Sequence, residues 1–226
     1  MRYVGLVHLD CSPQVPLLSI VVASNNVGKI RELHSLFSDL PIEWVRMADV
    51  LGRPWFVEET GATFEENAVL KARAATAATG FVALADDSGL EVDALRGSPG
   101  VRSARFAHDH ASDQENNATL LQALCDVEDG ARTARFQCVL AVVTPGEAAP
   151  LLAYGRCEGW IAREPVGSNG FGYDPLFRVA ELGGSSMAAL SDEEKGKVSH
   201  RGSAVRQLRP LLVQLLERMI AEVPAR

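Results

Sequence analysis

The sequence predicts an α/β or α+β protein built on a mixed β-sheet. Three observations carry this. Apolar runs of strand length alternate with stretches of helical periodicity over the first half of the chain. Ser/Thr-x-x-Glu capping boxes mark helix starts at Thr63–Glu66, Ser112–Glu115 and Ser191–Glu194. Two long β-rich segments, Thr133–Thr144 and Leu151–Ile161, follow one another directly and read as paired strands.

In chain order, Leu17–Ala23 is apolar throughout and reads as a first strand buried on both faces. Ser24–Lys29 follows as a loop. Ile30, Leu33, Leu36, Phe37 and Leu40 then recur at helical spacing. The Thr63 box opens a helix with Phe64, Ala68, Ala72, Ala75 and Thr79 on one stripe. Phe81–Ala85 reads as a short buried strand that ends at an Asp86-Asp87-Ser88-Gly89 turn. The Ser112 box begins a helix running through Leu124. Gly167–Pro175 is a Gly-rich loop, and the Ser191 box caps a short helix. A last helix is expected from about Gly202 to Glu222, with Leu208, Leu211, Leu212, Leu215 and Met219 inward and Pro210 near its start or kinking it.

Composition narrows the function. The 226 residues fit one large domain, or one domain in two lobes, and are 47% hydrophobic and 23% charged, enough for a sizeable core. A net charge of −7 argues against a partner held by long runs of nucleic-acid phosphate. Small phosphorylated ligands remain, because a few cations and a metal offset charge locally. No apolar run approaches the ~20 residues of a membrane span. Four cysteines, Cys11, Cys125, Cys138 and Cys157, are scattered without a C-x-x-C pair, which favours free thiols in a reducing compartment, the cytoplasm. Residues 1–16 carry early prolines and no clean apolar stretch. They are expected to form a disordered leader or to reflect a start assigned too early, with residues 17–226 the single domain.

Four segments carry chemistry. Asp86 and Asp87 stand where an apolar run ends, and charges there need partners. Mg²⁺ is the obvious one, since it takes one or two carboxylates and leaves its other positions to phosphates and water. The alternative is a solvated turn. Glu58-Glu59, just before a capped helix, could join that cluster, or could simply complement the helix dipole. Ser24-Asn25-Asn26-Val27-Gly28-Lys29 places a Gly-containing loop and a lysine at a helix N-terminus, a ready anion site, although the Walker A spacing is absent. Gly170-Phe171-Gly172-Tyr173-Asp174 offers close backbone approach, a ring to stack on a base, and a carboxylate to accept from it. Lys195, His200 and Arg201 are phosphate or carbonyl partners by type.

Taken in order, these segments resemble the inosine triphosphate pyrophosphatase family. The matching pieces are Ala23–Lys29, Glu58–Gly61 with Glu66-Asn67-Ala68, Ala85–Leu90, Gly97–Gly100 with Ser103-Ala104-Arg105, Gly170–Phe177 and Ser199–Gly202. They span residues 20 to 220. Ser24-Asn25 departs from a frequent Thr-Gly but keeps the hydroxyl, and His108 replaces a small residue. The resemblance implies an elongated, two-lobed α/β fold around a long mixed sheet, with the active-site cleft between the lobes, in a homodimer. It implies Mg²⁺-dependent splitting of the α–β anhydride of ITP, dITP or XTP, releasing the monophosphate and pyrophosphate. By position, Ser24, Asn25, Asn26, Val27, Gly28 and Lys29 are implied to hold the triphosphate. Asp87 is implied as metal ligand and proton acceptor, and Glu58 and Glu59 as the acids beside the metal. Ser88, Phe171, Gly172, Tyr173, Asp174, Lys195, His200 and Arg201 are implied as substrate contacts. Two rivals stand beside this reading: a pyrophosphatase for other modified nucleotides, and a nucleotide-binding sensor without turnover. The density of acids beside a phosphate loop argues against the sensor.

Overall fold

The computed structural model describes residues 18–221; the leader expected over residues 1–16 lies outside them. A seven-stranded mixed sheet runs β2-β1-β3-β4-β5-β6-β7. Its strands are β1 (Leu18–Val22), β2 (Ile42–Arg46), β3 (Val82–Val92), β4 (Thr133–Val143), β5 (Leu151–Ile161), β6 (Phe177–Val179) and β7 (Ser185–Ser186). The helices are α1 (Val27–Leu36), α2 (Met47–Leu51), α3 (Phe64–Thr79), α4 (Asp113–Ala123), α5 (Asp192–Val198) and α6 (His200–Ala221). The first three strands in the chain pair in parallel, and the rest antiparallel.

Period-2 alternation along the strands builds a core on each face. Ile20, Val22, Leu84, Leu140 and Val142 pack with Leu33 and Phe37 from the α1 segment and with Leu208, Leu212 and Leu215 of α6. Val21, Ala23, Ala83, Ala85, Val139 and Ala141 face the alanine stripe of α3. A third cluster, with Leu90, Phe136, Leu120, Tyr173 and Phe177, fills the far end of the sheet. Each fully buried Leu or Phe contributes ~1.5–3 kcal/mol. All three capping boxes form, with both reciprocal hydrogen bonds present.

Three expectations change. Asp86–Gly89 is not a turn: β3 runs on to Val92 because β4 pairs with it along its length, setting Asp86 opposite Leu140 and Asp87 opposite Val139. The last helix begins at His200 rather than near Gly202, and Pro210 lies inside it. Leu40 falls beyond the end of α1. The strands at Ile42, Phe177 and Ser185 are too short to show a clear period.

The order β2-β1-β3 sets the site. α1 leaves β1 on one face of the sheet, and α3 returns to β3 on the other. The carboxyl end of β1 is therefore a topological switch point, where open α/β sheets leave a crevice for ligands. β1 pairs with β3 only at Val82–Leu84, so from Asp86 onward β3 has no strand on that edge. The Ser24–Asn26 loop lies there.

Candidate active site

The loop after β1 is tied down by its own side chains. Asn26 caps α1 by accepting from the Lys29 N–H at 3.0 Å, and its own N–H donates to Ser24 Oγ at 3.1 Å. Asn25 Nδ2 donates to the Trp55 carbonyl at 2.8 Å, joining this loop to the segment that carries Glu58 and Glu59. The first N–H groups of α1 are thus presented in a fixed arrangement at the positive end of its dipole. Val27 is exposed here.

Alternation along β3 sends its two consecutive aspartates to opposite faces. Asp86 is buried on the α1/α6 side, where Lys29 Nζ lies 2.8 Å from Oδ1 and Arg201 Nε 2.7 Å from Oδ2. Burial opposes its ionisation, but Arg201 and Lys29 outweigh burial and hold its carboxyl well below the usual range. Arg201 also pairs with Glu32 and donates to Ser88 Oγ at 2.8 Å; Lys195 Nζ meets Glu32 at 2.7 Å and Asp174 at 2.5 Å. Three cations, Lys29, Lys195 and Arg201, are interleaved with three acids, the buried Asp86 and Asp174 and the partly buried Glu32.

Asp87 points to the α3 side. Lys71 Nζ bridges it to Glu59, at 2.6 Å from each carboxylate, and also donates to the Asp86 carbonyl at 3.0 Å. Burial would lower the Lys71 pKa, but its two acids raise it. For Asp87, burial outweighs the shared lysine, and its carboxyl is raised above the ordinary 3.8. Its Oδ2 is buried with no hydrogen-bond partner among the described residues. Burial pushes Glu59 upward too, yet Lys71 outweighs it and the net direction is down. Glu58 is exposed, and the described residues hold no group of three or more acids, histidines or cysteines placed around a metal position.

A cleft opens beside Lys29, lined by Ser88, Phe136, the Phe171–Asp174 loop, Lys195 and His200. His200 stacks on Phe136, with ring centroids 4.7 Å apart and planes 15° apart, and its buried Nδ1 has no partner among the described residues. Burial, and then the Arg201 charge, push its pKa well down, so the ring is neutral. Close contact positions it: an added Cβ on Gly155 of β5 would collide with the His200 carbonyl, so α6 starts directly against the sheet. The Phe171 ring, expected to stack on a base, lines the cleft and lies against Gly28, where a Cβ would come within 2.6 Å, with Lys195 Nζ 4.9 Å from the ring centroid. The Phe171–Asp174 loop thus touches the Ser24–Lys29 segment.

The structure brings together Asn26, Lys29, Ser88, Phe171, Gly172, Tyr173, Asp174, Lys195, His200 and Arg201 in the cleft, with Asp87 and Glu59 joined beyond the edge of β3. Sequence reading missed Lys71 and Glu32. Lys71 had a signal: it lies three residues after Ala68, on the stripe that faces the sheet, where an unpaired lysine would be costly. Glu32 had none, since its partners are far away in the chain.

Residues 20–211 match the model of the Ham1 family. The chain is 50% identical over 190 residues to the dITP/XTP pyrophosphatase of Escherichia coli (strain K12), covering 84% of this chain and 95% of that one. It is 53% identical over 186 residues to the dITP/XTP pyrophosphatase of Methylococcus capsulatus, covering 82% of this chain and 91% of the relative. A solved Ham1 protein from Coxiella burnetii superposes with a TM-score of 0.79 at 45% identity, over 88% of this chain and 100% of that one. With a family match across the whole sheet and cleft, this chain belongs to the Ham1 family.

Proposed function

We infer that this protein is a nucleoside triphosphate pyrophosphatase that hydrolyses hypoxanthine- and xanthine-bearing nucleoside triphosphates, dITP, ITP and XTP, to the monophosphate and pyrophosphate. Relatives about half identical over nearly their full length carry that activity in their names. The observation that carries the reading in this molecule is one continuous arrangement. Lys29 joins an anion-binding helix terminus to Asp86, and the neighbouring Asp87 is joined to Glu59 through Lys71.

The division of labour follows from that arrangement. The base enters the cleft between Phe171–Asp174 and His200. The triphosphate runs over the Ser24–Lys29 loop toward Asp87. Lys29 and the N–H groups of α1 offset the phosphate charge, and preorganised charge of this kind is the main protein contribution to phosphoryl transfer. A water oxygen attacks the α-phosphorus, its proton passes to Asp87, and the anhydride bond to the β-phosphate breaks to release pyrophosphate. Burial holds Asp87 nearer the pH at which a carboxylate can accept that proton.

Mg²⁺ fits this site. It takes one or two carboxylates with phosphate oxygens, and Asp87 has a buried oxygen without a partner beside Glu59. Asp87 and Glu59 would hold it; when bound it neutralises developing phosphate charge. Glu58, exposed next to them, has less support as a ligand.

For base choice, Arg201 has its N–H groups engaged by Asp86, Glu32 and Ser88. His200, neutral and lining the cleft, is the group proposed to donate to the oxygen at position 6 of hypoxanthine or xanthine. The resemblance that implies the reaction also implies a homodimer. Cys125, Cys138 and Cys157 are free thiols, in keeping with the reducing cytoplasm; among the described residues no helix is long and apolar enough to cross a membrane. Product analysis tests the reading: dITP with Mg²⁺ should yield dIMP and pyrophosphate. Release of dIDP and orthophosphate would overturn it.

A further inference from the structure

We propose that Asp113 and Asn117 of α4 are positioning residues that hold the base-facing loop from the far side of the cleft and thereby set base selectivity. The proposal rests on the nucleotide reading above.

Gly172 is gripped through both of its backbone polar groups. Its N–H donates to Asp113 Oδ2 at 2.7 Å, and its carbonyl accepts from Asn117 Nδ2 at 3.0 Å. The two side chains are four residues apart and share one side of α4. Asp113 also lines the cleft. On either side of Gly172 stand the two aromatic residues of the loop. Phe171 reaches Gly28, and the Tyr173 hydroxyl donates to the Ser103 carbonyl at 2.8 Å. A shift of the Gly172 peptide therefore moves the wall of the base pocket.

α4 is a firm mount for such a clamp. Its Ser112 capping box is complete, and Leu120 and Leu124 are fully buried. Asn116 ties it to the preceding segment, accepting from the Ala107 N–H at 2.9 Å and donating to the Ala104 carbonyl at 3.2 Å. Neither Asp113 nor Asn117 joins the Lys29–Asp86–Arg201 lattice or the Lys71 bridge. Their hydrogen bonds are made to the base end, while the Lys29–Asp86–Arg201 lattice has ion pairs of its own. Among the described residues Asn117 Oδ1 is buried without a partner, so Gly172 is the group that fixes this amide.

The experiment compares wild type, Asp113→Ala, Asn117→Ala and Asp113→Asn in steady-state hydrolysis of dITP and dATP, with inorganic triphosphate as a competing inhibitor. Asp113→Ala should raise KM for dITP about tenfold, the scale of a lost hydrogen bond to a charged group, with kcat within about threefold. The preference for dITP over dATP should narrow, and the inhibition constant of triphosphate should not change. Asp113→Asn keeps an acceptor oxygen and should restore most of the loss. Alanine variants that match wild type in KM and preference would overturn the clamp alone. So would an inhibition constant for triphosphate that rises in step with KM. A wild-type protein that leaves dITP intact would overturn the nucleotide reading, and the clamp's role in selectivity with it.

Discussion

Asp86 and Asp87 are adjacent in β3 yet belong to opposite faces of the sheet: Asp86 is locked between Lys29 and Arg201, and among the described residues Asp87 is held by Lys71 alone. One is fully committed to cations of the fold. The other keeps a buried oxygen unspent.

Their asparagine variants should therefore differ in kind. Asp86→Asn leaves the buried Arg201 and the half-buried Lys29 short of a partner, and removing one member of a buried pair costs ~3–5 kcal/mol. Asp87→Asn removes a carboxylate whose charged form is already disfavoured by burial, and Lys71 keeps Glu59, so stability should stay near wild type. Its turnover should fall ~10²-fold or more at saturating Mg²⁺. Denaturant titration and kcat on the two variants check this. Equal stability losses, or near-wild-type turnover in Asp87→Asn, would contradict it.

Lys71 tunes Asp87. Burial raises the Asp87 pKa, and the lysine charge opposes that. If Asp87 must be ionised to accept a proton, activity falls as pH drops through its folded value. Lys71→Met removes the opposing charge, so the acid limb of the kcat profile should move to higher pH. An unmoved acid limb would show that another group controls it.

His200 gives the fold a pH dependence of its own. Its folded pKa lies well below 6.5, so below that pH the unfolded chain binds a proton that the folded one does not. Stability then rises with pH, and falls on acidification below about 6.5 at a slope approaching ~1.4 kcal/mol per pH unit. His200→Asn should flatten this slope in denaturant titrations between pH 7.5 and 5.5, conditions chosen at roughly one unit either side of the free imidazole value. A wild-type curve that is level over this range would contradict the buried neutral ring.

Gly28 marks the contact between the two loops. In a helix, alanine is ordinarily favoured over glycine by ~0.5–1 kcal/mol. Here the added Cβ meets the Phe171 ring at 2.6 Å. Gly28→Ala should leave the melting temperature at or above wild type while lowering kcat/KM, by up to ~10²-fold if the ring is displaced by about 1 Å. Adding Phe171→Leu should recover part of that loss.

How much of this was legible in the sequence depended on range. Capping boxes are local, so Thr63, Ser112 and Ser191 announced α3, α4 and α5 correctly. β4 and β5 were visible because they are long and rich in β-formers. The Asp86–Gly89 stretch misled, because an Asp-Asp-Ser-Gly string has turn chemistry. Only the pairing with β4, some fifty positions away, keeps it extended. In the site, residue types pointed to Lys29, Asp87, Lys195 and His200, but not to what they touch. Glu32 and Lys71 act through partners brought close by the fold. Arg201 was legible by type as a substrate contact, but its partners Asp86, Glu32 and Ser88 were not.

The central claim is tested most directly by kcat/KM for dITP against dATP with Mg²⁺, read as pyrophosphate release. On the proposed reading, a neutral His200 donates to the hypoxanthine oxygen at position 6 and would face the adenine amino group donor against donor. Sites of this kind reject the mismatched analogue by factors of ~10⁴ at best. We predict dITP far above dATP, with XTP near dITP. Equal use of dITP and dATP would contradict the account.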